Sequence, residues 1–319
     1  MMLTLILGVV LGTLALVGPW LLRGAEPVLM RFPRLAAATI TGGVLVWLAS
    51  VLALGPVLAW VGPGPAVLSG GAAVFCRRCL AAANPFGGAA TDSGVPALLL
   101  LVLPAVVAAA LALSTARALR RRARLSGDAA RELLRDARRT VLSGYDVWLV
   151  ESARPAAMSF PARHGGIVIT TGAVEALDPA ELVAVLAHED AHVRQRHHLV
   201  SALLAGLADS VRWVPLAVAA HDALPHYLEI AADGQARRRA GTSALVGALL
   251  TLGERAQPVS ARSGVLHAAG PERIRQLVHP ARGSAGAVPT LVFLCYLIVL
   301  VSTTVAVQLP YVTAALHGC

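Results

Sequence analysis

DPAELVAVLAHEDAH, residues 178–192, decides what this chain is built around. Asp178 is a helix cap, Pro179 suits the first helical position, and Glu181 stands where a capping box places a carboxylate. The spacing predicts a helix that runs through Leu182–Leu186 into two histidines. On a helix, residues four apart differ by only about 40° in azimuth, so His188 and His192 project from one face and can reach one ion. Glu189 lies about 100° round from His188, out of line as a ligand but able to reach a water on the metal. The H-E-x-x-H spacing therefore separates two ligands from one base. Asp190 departs from the usual uncharged filling of the motif, and the expectation is that it faces solvent.

Zinc in a catalytic site usually takes three protein ligands and leaves one position for water. The best third candidate is Glu229, in EIAADGQA, residues 229–236. Asp233 is one turn further along the same helix, placed to accept the free N–H of a ligating histidine and hold its tautomer. The plainer alternative is that Glu229 and Asp233 form a solvated helix face. His197, His198, His221 and His226 compete as ligands. His197 and His198 directly follow the first helix and are expected to meet solvent or lipid headgroups instead. The site expected is one zinc ion per chain on His188, His192 and Glu229, with Glu189 as general base. A second donor to the oxyanion would come from Tyr227, His226 or Arg273, and the strand at Gly166–Thr171 could pair with an extended substrate.

The rest of the chain is apolar. Of 319 residues, 56% are hydrophobic and 14% charged, and a mean hydropathy of +0.68 is too high for a soluble globular protein. Apolar runs at about 1–22, 35–60, 96–116 and 288–309 each approach or exceed the roughly 20 residues that cross a hydrocarbon core. The first lacks a basic start and a small-residue cleavage site, so it reads as a retained anchor. A further run, 199–220, is interrupted by Asp209, Arg212 and Pro215. It could be a fifth span, a re-entrant hairpin or a buried helix, and an embedded or interfacial placement is favoured.

The formal charge of +9 does not point to nucleic acid, because nine arginines crowd between Arg117 and Arg139 directly after an apolar run and aromatics are scarce. Positive-inside bias puts 23–34 and 117–287 in the cytoplasm and 61–95 outside. The expected organisation is a multi-pass plasma-membrane protein of mainly α class. Residues 1–116 hold three spans and the outer loop 61–95, residues 117–287 form a cytoplasmic α+β metal domain, and 288–319 a last span with a short tail. Within the domain, Asp146–Glu151 and Gly166–Thr171 are β-branched apolar runs that read as two strands of a small sheet. Cys76 and Cys79 form a C-x-x-C without partner histidines, which favours a disulfide or free thiols over a metal knot. With Cys319 they would face the oxidising side.

His188–His192 followed by VRQRHHL, with Trp213-Val214-Pro215 ahead of Glu229-x-x-x-Asp233, resembles the BlaR/MecR-type membrane metallopeptidases over about 145–280. Ile167–Thr171 before the helix and Pro271-Glu272-Arg273-Ile274 after it are similar to the HtpX and CAAX-protease type. The resemblance implies a gluzincin fold, zinc on His188, His192 and Glu229, Glu189 as base, and proteolysis facing the cytoplasm. The β-lactam receptors of that family continue into a large sensor domain after the last span, and no such domain is expected in this chain. Three readings follow. One is a regulatory protease acting on a cytoplasmic repressor or membrane-bound target, with a sensor or repressor partner. Another is a quality-control protease for membrane proteins. The last is a silent signalling scaffold that keeps zinc as a structural pin, against which an intact Glu189 argues.

Overall fold

The computed structural model describes residues 2–61, 95–255 and 286–316. Among the described residues four helices are long and apolar enough to cross a membrane: α1 (Met2–Leu29), α2 (Pro33–Val61), α3 (Ala97–Leu133) and α9 (Ala287–Leu316). Between α3 and α9 in the sequence lie β1 (Arg138–Leu142), β2 (Tyr145–Val150), β3 (Ala157–Ser159), β4 (Ile167–Thr170), α4 (Thr171–Ala176), α5 (Pro179–Arg194), α6 (His197–Ser210), α7 (Pro215–Ala240) and α8 (Thr242–Arg255). Nearly all of the outer loop 61–95, with Cys76 and Cys79, falls outside the described residues, as do Arg273, the 271–274 motif and Cys319.

The apolar helices interlock through polar contacts as well as packing. Trp47 of α2 donates its indole N–H to the Leu11 carbonyl of α1 at 3.0 Å, and the Ser50 and Thr304 hydroxyls join α2 to α9 at 2.7 Å. Hydroxyl and indole groups within apolar helices need such partners, because nothing else nearby can hydrogen-bond them. The third apolar run does not stop near 116. Helix α3 carries on to Leu133, so the arginine cluster rides on a continuous extension of the apolar helix.

The sheet has four strands in the order β1-β2-β4-β3, with β2–β4 parallel and the outer pairs antiparallel. The two expected strands are β2 and β4, and β1 and β3 join them. Ser143 and Gly144 both have positive φ, 49° and 83°, the geometry of a tight two-residue hairpin whose twist suits the strands it joins. Strand β4 lies inside the sheet, so both its edges are taken. The expectation that Gly166–Thr171 offers an open edge to substrate is thereby corrected, and the open edge on that side belongs to β3.

Helices α6 and α7 form a hairpin beside the apolar helices. Gly206 of α6 sits against Thr115 and Ala118 of α3, and Ser210 meets Ser114 at 2.9 Å. Helix α7 runs alongside α1 in the same direction. Leu216 fills the space left by Gly18, where a Cβ would come within 2.6 Å of Leu216 Cδ1, and His226 Nε2 lies 3.9 Å from Glu26. Eight residues of α1 separate those two contacts, a drop of about 12 Å at 1.5 Å per residue. The hairpin tip, Val211–Val214, therefore sits beside the middle of α1. One apolar cluster unites Leu14 and Leu21 of α1, Ile40 and Val44 of α2, Leu204 of α6 and Leu224 of α7. The run 199–220 is thus two helices joined at Val211–Val214, not one continuous helix.

Candidate active site

Helix α5 begins as its sequence predicts. The Asp178 carboxylate accepts the Glu181 amide at 2.7 Å, Glu181 accepts the Asp178 amide at 3.1 Å, and Pro179 opens the helix. Both sides of the helix are then covered. Val185 and Leu186 pack under the sheet with Ile167 and Ile169, while Ala184 and Ala187 meet Ala236 of α7 and Leu245 and Leu249 of α8. Alanine on both helices lets α5 and α7 approach closely, and that approach brings Glu229 to the histidines.

Three side chains converge there. His188 Nε2 and His192 Nε2 are 3.2 Å apart, and Glu229 Oε2 and Oε1 lie 3.5 and 3.4 Å from them respectively. Ligands about 2.1 Å from a tetrahedral zinc stand about 3.4 Å from one another. Each imidazole Nε2 has a different carboxylate oxygen of Glu229 at about that distance, so two imidazoles and a carboxylate are gathered closely enough to hold one zinc ion. Glu189 is 3% exposed, a buried carboxylate in the turn that carries both histidines. Asp190 is not on open solvent as expected: it is half-buried and paired with Arg194 at 2.7 Å, which neutralises the charge inside the motif.

Behind the cluster each histidine has a second partner. His188 Nδ1 lies 3.0 Å from Asp233 Oδ1, and Asp233 is buried with it. His192 Nδ1 lies 3.0 Å from His197 Nδ1, whose Nε2 is 3.3 Å from Gln195 Oε1. For His192 Nε2 to serve as a ligand its proton must sit on Nδ1. His197 Nδ1 then accepts it, and the His197 proton sits on Nε2, directed at Gln195. This chain of donors is self-consistent with His197 neutral.

Sequence reasoning sent His197 and His198 to solvent, and the structure corrects both. His197 is 4% exposed and His198 half-buried with its ring 6.3 Å from that of His192. The cause is Arg196, whose φ of 53° and ψ of 38° turn the chain left-handed and fold His197 back under α5. The other competitors are elsewhere. His221 is beside Asp222 and His226 beside Glu26, while Tyr227 is buried in the cluster shared with α1 and α2.

Without metal the cluster divides its charge unevenly. Burial works against a charged His188, but the Asp233 and Glu229 carboxylates override it and push its pKa up to about 10. Burial pushes His192 down to about 3, against the pull of Glu229 and with the help of charged His188. Burial likewise pushes His197 down to about 4, which keeps it neutral as the donor chain requires.

Two histidines of one helix and a carboxylate of another form a group that could hold a metal ion, and comparison with known proteins points to a metallopeptidase family. Residues 120–253, less than half of the chain, match the model of Peptidase family M48. A protein named Protease HtpX homolog from Acidiphilium cryptum is 37% identical over 67 residues, covering 20% of this chain and 23% of the relative. A second Protease HtpX homolog, from Thermodesulfovibrio yellowstonii, is 31% identical over 70 residues, covering 21% and 25%. The chain thus matches about a quarter of the length of these relatives. No solved structure matches. The match to the family and the four apolar helices together support a metallopeptidase of the membrane.

Proposed function

We propose that the chain is a membrane-embedded zinc metalloendopeptidase that hydrolyses peptide bonds in cytoplasmic or membrane-associated proteins. The observation that carries this reading is the spacing of His188, His192 and Glu229, which suits a tetrahedral ion with one open position. Zinc bound there would polarise the scissile carbonyl and make a water acidic enough to attack near neutral pH. Glu189 takes the proton of that water and returns it to the leaving nitrogen. Asp233 and His197 hold the two imidazoles in the tautomers that leave Nε2 free. The edge of β3, Ala157–Ser159, that no other strand occupies can pair with an extended substrate backbone beside α5.

A cytoplasmic site is consistent with the arginines, since Arg31 of the α1–α2 link and Arg34 of the first turn of α2 line one cleft with Asp233. Two biological roles fit the chemistry. Regulatory cleavage of a repressor or membrane-bound target is one, with a sensor partner supplying the signal. Quality control of membrane proteins is the other, favoured by the relatives named HtpX homolog and by the lodging of the site helix against α1. Cleavage of casein and of a membrane-protein substrate by the purified chain, with and without chelator, tests the activity. Wild-type protein should lose cleavage with chelator and regain it with zinc. Undiminished cleavage by Glu189→Gln protein of the same zinc content would sink the catalytic assignment.

A further inference from the structure

The α1–α2 link, the start of α2 and the second half of α7 border a cleft of about 820 Å³ whose lining also includes Asp233, the carboxylate beside His188. Its walls carry Arg31 from the link, Arg34 from the first turn of α2, and Arg237 and Arg238 from α7. All four are exposed, and Arg34, Arg237 and Arg238 have no ion-pair partner among the described residues. Phe32 and Leu35, 59% and 64% exposed, line the same cleft. Arg238 is held toward the opening by a 3.0 Å bond to Gln235.

The height of the cleft identifies what it would take. The link joins two apolar helices and so marks the level at which both leave the membrane. Four guanidiniums around one cavity, Arg31 and Arg34 at that level and Arg237 and Arg238 about two turns further along α7, are a receptor for a phosphodiester. Two large apolar side chains at the same mouth suit the start of acyl chains, and a soluble anion has no use for them. We infer that the cleft binds the headgroup of an anionic phospholipid such as phosphatidylglycerol. The bound lipid bridges the link to α7, the helix that carries Glu229 and Asp233, and so braces one wall of the candidate active site. This inference depends on the apolar helices being membrane spans and not on the peptidase chemistry.

The test is the thermal midpoint of the full-length chain in neutral detergent, titrated with phosphatidylglycerol or phosphatidylcholine. Phosphatidylglycerol should raise the midpoint saturably and phosphatidylcholine should not. Arg34→Gln with Arg238→Gln should move half-saturation at least tenfold higher, while Arg34→Lys with Arg238→Lys stays within about threefold of wild type. Arg120→Gln with Arg124→Gln removes the same charge from α3 and should change nothing. Equal stabilisation by phosphatidylcholine overturns the inference, as does an equal loss in the α3 variant, which would mean unspecific attraction. Stabilisation by glycerol phosphate equal to that by the lipid also overturns it, because the site would then bind free anions. Resistance of the chain to alkaline carbonate extraction from membranes checks the span reading separately, and proteolytic activity enters none of these measurements.

Discussion

Glu189 and His197 have different proposed parts at the metal cluster and are expected to fail in different ways when replaced. Glu189→Gln keeps the shape of the helix and removes the base, so cleavage should fall by at least about 10²-fold with zinc content unchanged, read by turnover beside metal analysis. His197→Phe leaves the base and breaks the donor chain to His192, so zinc affinity should fall about 10-fold to 100-fold in a chelator competition. His197→Gln, which can still accept the His192 proton, should recover part of that loss. A zinc affinity equal to wild type in His197→Phe would reduce His197 to a core residue. These two residues also mark how far the site can be read from sequence. The roles proposed for His188, Glu189 and His192 rest on helix spacing alone, and that proposed for Asp233 on its being one turn beyond Glu229. The burial of His197 does not, because it depends on a left-handed arginine that no local pattern announces.

Among the elements, the α6–α7 hairpin depends on how closely it can approach α1. Gly18→Val would push into Leu216 and should cost about 1–3 kcal/mol, the usual range for overpacking, seen as a lower thermal midpoint. Leu216→Ala in the same chain should return part of the loss, since it clears the space that the valine needs. If the two substitutions simply add, the α1–α7 contact is not the cause. The longer elements were legible: the four apolar helices from run length, and α5 from its cap and box. Strand β1 was not, because RRTVL, residues 138–142, opens on two arginines that continue the basic cluster before it. Strand β3 is three residues long and carries no periodicity that could be recognised. The position of α7 beside α1 is long-range packing, invisible to any pattern within one segment.

In the whole molecule, a metal ion at this site would tie α5, which rests on the sheet, to α7, which rests on the apolar helices. Zinc removal should therefore lower the thermal midpoint as well as abolish cleavage, with both restored by adding zinc back. The sign of the pH effect follows from the raised pKa of His188. In the metal-free chain that imidazole holds a proton up to about pH 10. A metal must displace the proton to use Nε2, so uptake near neutral pH should release about one proton and the affinity should weaken as pH falls. Calorimetry in two buffers of different ionisation enthalpy measures this release, and identical heats in both would contradict it.

Because α7 follows α1 contact by contact, Glu229 stands three residues beyond the level of Glu26, and the reacting groups cannot rise or sink without the membrane helices going with them. Under the proposed function the enzyme would select bonds by altitude above the bilayer more than by the side chains flanking them. A ladder of tethered substrates, each with its cleavable bond one residue further from the membrane, should be cut only on a few adjoining rungs.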